Sequence, residues 1–143
     1  MFGFIGALYK DKTDLQNQSL SEKFSVVVSA INKAAFNGYG TVTVLNKRSF
    51  NLYEDGQNQI INFFYSTGHL TITWKYKYFQ KEVVHERKFN DVRNITIFQQ
   101  NKIAEQMISE MDMIVARHQA SINRTVDFGV IDNIINDYLD KED

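Results

Sequence analysis

Residues 69–89 read HLTITWKYKYFQKEVVHERKF. Large apolar side chains recur at Leu70, Ile72, Trp74, Tyr76 and Tyr78, with Thr71, Thr73, Lys75 and Lys77 between them. Successive side chains of an extended chain leave opposite faces, so this period of two describes a strand with one face on a core. The alternation breaks at Gln80-Lys81 and resumes at Val83, which makes the stretch a hairpin. A turn that pairs Phe79 with Glu82 sets Tyr78 against Val83, Tyr76 against His85, Trp74 against Arg87 and Ile72 against Phe89. On the opposite face it sets Lys75 against Glu86, a favourable cross-strand pair. A slip of one residue would oppose Trp74 to Lys88 and Tyr76 to Glu86 and scatter the apolar set, which a half-buried sheet avoids.

The same test extends backwards along the chain. Thr67-Gly68 is a turn with Gly where positive φ is needed, and pairing Ser66 with His69 sets Tyr65, Phe63 and Ile61 beside Leu70, Ile72 and Trp74. Asp55-Gly56 is the strongest hairpin signal, and pairing Glu54 with Gln59 sets Leu52 beside Ile61 and Phe50 beside Phe63. TVTVLN (41–46) and SFNLYE (49–54) complete the set. Five strands joined by short turns leave no room for crossover helices, so the sheet is an antiparallel meander. One face collects Phe50, Leu52, Ile61, Phe63, Tyr65, Leu70, Ile72, Trp74, Tyr76 and Phe89. The other carries Tyr53, Phe64, Phe79 and Val84 among Thr71, Thr73, Lys75, Lys77, Glu86 and Lys88.

Helices flank the sheet. Ser19 to Glu22 has capping-box spacing, and Phe24, Val27, Val28, Ile31, Ala34 and Ala35 then recur at helical spacing until Asn37-Gly38. After the sheet, Thr96 to Gln99 is a second capping box, followed by Ile103, Met107, Met111, Ile114, Val115 and His118 on one helical face. This long helix is expected to end at Ile122 or Asn123. Asp127 is then expected to cap a short last helix bearing Val130, Ile131, Ile134, Ile135, Tyr138 and Leu139. The fold class is therefore α+β: an N-terminal helix packed on a five-stranded antiparallel meander, then a long helix and a short C-terminal helix. Residues 1–143 read as a single domain, with 1–18 an N-terminal arm and 126–143 an acidic amphipathic helix.

Composition agrees with a globular chain: 143 residues, 43% hydrophobic and 23% charged, with a formal net charge of -1. The charge is uneven. Thr41 to Lys102 holds nine cations and five anions, whereas from Val126 onward six anions meet only Lys141. With no cysteine, disulfides and thiol chemistry are excluded, and a cytoplasmic setting is expected. The apolar run Phe2 to Leu8 has no basic residue before it and is too short for a membrane span.

No reactive constellation is legible. His85-Glu86 lacks the second His of a zinc helix, because Phe89 stands there and the segment is a strand. Gly38-Tyr39-Gly40 follows a helix and precedes a strand, the reverse of a phosphate loop. No metal, cofactor or catalytic residue is expected. The leading expectation is a non-enzymatic protein-interaction module, homodimeric or bound to another protein. A second is single-stranded nucleic acid held on the outer face by Phe64, Lys75, Lys77, Phe79 and Lys88, since cations track phosphates while aromatic rings stack bases. A third is a small-ligand or enzyme cleft between helix and sheet near Tyr76, His85 and Arg87.

Overall fold

The computed structural model describes residues 18–142, with side chains described for residues 18–124. The expected N-terminal arm thus lies almost wholly outside the described residues. The elements are α1 (Leu20–Lys23), α2 (Ser25–Phe36), β1 (Thr41–Asn46), β2 (Ser49–Tyr53), β3 (Gln59–Ser66), β4 (His69–Tyr78), β5 (Lys81–Phe89) and α3 (Ile97–Glu142). The strands pair antiparallel in the order β1-β2-β3-β4-β5, so the α+β meander is as the patterning requires.

Each helix starts and stops for a local reason. The Ser19 hydroxyl accepts from the Glu22 amide (3.3 Å), and the Ser19 amide donates back to Glu22 Oε2 (3.4 Å), closing the capping box. At the far end of α2, Asn37 and Gly38 take positive φ and turn the chain toward β1. Asn32 then clasps Gly40, accepting from its amide (2.8 Å) and donating to its carbonyl (3.1 Å). A Cβ on Gly40 would stand 2.7 Å from Asn32 Oδ1, so this clasp requires glycine.

Registers between β2 and β3 and between β3 and β4 follow the apolar pattern: Phe50 faces Phe63, Leu52 faces Ile61, and Ile61 faces Trp74. The β4–β5 register differs from the sequence reading by two residues. Tyr78 faces Lys81, Tyr76 faces Val83, Trp74 faces His85 and Ile72 faces Arg87. The turn consists of Phe79 (φ +50) and Gln80 (φ +61), both left-handed and neither a glycine. A two-residue hairpin turn with positive φ at both centres matches strand twist, but it normally advertises itself with Asn-Gly. An even slip preserves faces, so the inward set survives, while Phe79 leaves the outer face for the turn. The expected Lys75–Glu86 pair is not made: Lys75 faces Val84, and Glu86 accepts from Thr73 Oγ1 (2.7 Å).

Helices α2 and α3 share one face of the sheet. Phe24, Val27, Ile31, Leu52, Ile61, Phe63, Tyr65, Leu70, Ile72, Met107 and Met111 are buried between these layers. Buried Gln100 joins the helices, accepting from the Val27 amide (3.3 Å) and donating to the Lys23 carbonyl (3.0 Å). Helix α3 then passes over β4 and β5. It does not stop at Ile122 or Asn123. The segment expected as a short last helix is helical and joins α3 without a break, so no new helix begins at Asp127. No proline interrupts the segment, and Gly129 alone costs a helix only about 1 kcal/mol. The side chains of its apolar and acidic residues lie outside the described ones.

Candidate functional site

The residues expected to form one cleft divide between two places. Tyr76 is buried at the floor of a cavity of about 420 Å³ between α2, the sheet and α3, beside Trp74, Gln59 and Met111. Its hydroxyl accepts from Gln119 Nε2 (2.7 Å). Gln59 accepts from Trp74 Nε1 (2.9 Å) and donates to the Ala35 carbonyl (2.8 Å). These polar groups are engaged with one another and lock the floor.

His85 and Arg87 project instead toward Glu110 of α3. His85 Nε2 lies 3.1 Å from Glu110 Oε1, and Arg87 Nη1 donates to Glu110 Oε2 at 2.9 Å. The Gln106 carboxamide, turned with its oxygen toward Arg87, accepts from Nε (3.2 Å) and Nη2 (2.5 Å). Farther along, His118 Nε2 lies 3.1 Å from the Lys81 carbonyl, and Tyr78 donates to Asn123 (2.9 Å). Together these contacts fasten the β4–β5 hairpin to α3. Glu110 and Gln106 were not singled out in the sequence, since nothing there says which turn of a long helix meets which strand.

The outer face is uncovered among the described residues, but its cations and rings are dispersed. Exposed Phe64 faces Thr71, which faces Lys88 on its other side. Lys75 sits between Ile60 and Val84, and Lys77 faces Glu82. Phe79 sits in the hairpin turn, its ring edge-on to Tyr78 at 4.7 Å. From Thr71 to Phe79 the strand advances about 26 Å, so Phe64 and Phe79 cannot stack successive bases. Between them runs a polar row in which Asn62 donates to Asn51 (2.9 Å) and Thr73 to Glu86.

Among the described residues, exposed apolar side chains gather elsewhere, along β1 and just before it. Tyr39 (74% exposed), Val42 (37%), Val44 (67%) and Leu45 (54%) fall within 39–45. Val42 and Val44 face Leu52 and Phe50 and so belong to the helix-bearing face, which α2 does not reach over this strand. Every residue of β1 is exposed, none is charged, and among the described residues nothing pairs with its outer side. Beside it opens a groove of about 230 Å³ lined by Leu20, Val44 and Phe50. A β-bulge between Val44 and Asn46 ends the regular part of the strand. The signal for this surface was present in the sequence: the first strand of a meander is an edge, and TVTVLN has no charge to guard it.

Among the described residues no helix is long and apolar enough to cross a membrane. The chain matches no protein-family model, no curated protein and no solved structure.

Proposed function

We propose that this chain is a non-enzymatic protein-interaction module that receives a strand from a partner at the β1 edge. The observation that carries this reading is the gathering of exposed Val42, Val44 and Leu45 on an uncharged edge strand, with Tyr39 just before it. Such an edge offers a row of backbone donors and acceptors, and addition of a strand satisfies them while neighbouring side-chain pockets give selectivity. Exposed apolar residues gathered at one sheet edge mark a contact site, whereas single scattered ones do not. A reducing, cytoplasmic setting is part of the proposal and is supported by the absence of cysteine.

Photo-cross-linking tests the reading. A benzophenone amino acid in place of Leu45, with a control in place of the exposed turn residue Gln57, is expected to give discrete adducts with a second polypeptide from position 45 only. If position 45 yields no protein adduct in cells or with purified chain, the edge is not a binding surface and the proposal fails.

A further inference from the structure

The strand that β1 receives, we infer, is β1 of a second copy, paired antiparallel about Thr43 to make one continuous sheet of two meanders. This inference rests on the reading of the edge given above. The first argument is charge. From Asn37 to Asn46 the sequence NGYGTVTVLN carries no ionisable group apart from the Tyr39 phenol, in a chain that is 23% charged. About a twofold axis only the central residue meets its own copy, and an uncharged stretch can pair with itself in any register without opposing like charges. β5 is restricted where β1 is not: centred on Val84, for example, its self-pairing would oppose Lys81 to Arg87 and Glu82 to Glu86.

The second argument is register. Directly opposed residues in an antiparallel pair share a face, so a twofold-related pairing opposes residues 40, 42, 44 and 46 only to one another, and 41, 43 and 45 likewise. Centres at Val42, Thr43 and Val44 all satisfy this parity. Centred on Val42, Val44 would face Gly40 of the other copy; centred on Val44, Val42 would face Asn46. Centred on Thr43, each Val42 faces the other Val44, and four valines form one row on the helix-bearing face beside both grooves. Thr41 then lies near Leu45, where the bulge ends the ladder on each side. The two Lys47 side chains start about 26 Å apart along the strands, beyond the screening length of physiological salt. The twofold closes the assembly and leaves the two guarded β5 edges at its ends.

The absence of cysteine makes the test clean. In full-length chain, Thr43→Cys under mild oxidation is expected to form an interchain disulfide, since residues opposed across an antiparallel pair stand about 4.5–5.5 Å apart, within disulfide reach. Lys88→Cys, far from β1, is expected to form none. Light scattering is expected to give twice the 16.7 kDa chain mass. Val44→Lys, acting in both copies, should weaken association roughly a hundredfold, about tenfold for each lost valine contact, with an unchanged circular dichroism spectrum. A wild-type monomer at all concentrations, a Val44→Lys variant that dimerises as tightly as the wild type, or faster cross-linking from Lys88→Cys than from Thr43→Cys would each overturn the inference. If the wild type is monomeric while the Leu45 photoprobe captures a different protein, the self-pairing fails and the interaction module stands; if the photoprobe captures nothing, both fail.

Discussion

Strand β5 carries Lys81, Glu82, Glu86, Arg87 and Lys88 along nine residues, and β1, at the opposite edge of the same sheet, carries no charge along six. The guarded edge is also fastened: Glu110 takes His85 and Arg87, and His118 and Asn123 hold the β4–β5 hairpin from the same helix. At β1 the neighbouring helix stops short, and two valines on the helix-bearing face meet solvent. Charged side chains and covering helices are two of the devices by which sheets avoid edge-to-edge association. Among the described residues both stand at one edge and neither at the other. The pairing of meanders proposed above would cover the edge that is left bare.

The comparison can be broken at its centre first. Trp74 lies on β4 opposite His85, buried among core residues and hydrogen-bonded to Gln59. Trp74→Ala is expected to cost about 3–5 kcal/mol in urea unfolding, because it leaves a cavity that the sheet cannot close. A loss under about 1 kcal/mol would mean that the inward face does not hold the two edges together. Glu110→Ala comes next. It removes the acceptor shared by His85 and Arg87, both charge-assisted contacts but partly exposed, and is expected to cost about 1–2 kcal/mol with selective loss of amide protection in β5. Equal loss of protection in β1 would erase the contrast between edges. The smallest effect belongs to the bare edge. At concentrations where the chain is monomeric, Val44→Lys is expected to change unfolding free energy by less than about 0.5 kcal/mol, since an exposed position has little packing to lose.

The central strands were legible because two kinds of information agree there. Asp55-Gly56 and Thr67-Gly68 mark the turns, and the apolar residues on either side admit one register. At the β4–β5 turn only the apolar pattern was available, and it is blind to an even slip. Phe79 and Gln80 occupy left-handed conformations that their side chains do not announce. The long helix was legible in its first turns, where Thr96 and Gln99 cap it, but its continuation past Asn123 was not, because Asn-Arg-Thr weakens a helix without breaking it. The candidate cleft failed to assemble for a geometric reason. Tyr76 and the pair His85 and Arg87 all project from the helix-bearing face, but Tyr76 meets Gln119 while the other two meet Glu110, positions nine residues apart on α3. Strand pattern assigns a face; it does not assign which turn of a helix lies over it.

Strand order in this sheet equals chain order, and that has a kinetic meaning. Each ladder closes a short loop, so most of the sheet can form without a costly search for distant partners, as in other chains of low contact order. The long-range closures are those that dock helices, such as Gln100 on Val27 and Lys23, and these are expected last. With no proline in the chain, no prolyl isomerisation can delay any step. Trp74, the sole tryptophan, is 4% exposed and reports directly on formation of the centre. Stopped-flow refolding of the Val44→Lys chain, at a dilution where its weakened association leaves it monomeric, should therefore show its full Trp74 fluorescence change within about a second, with amplitudes independent of how long the chain was left unfolded. A phase lasting tens of seconds would mean that something other than strand order sets the pace.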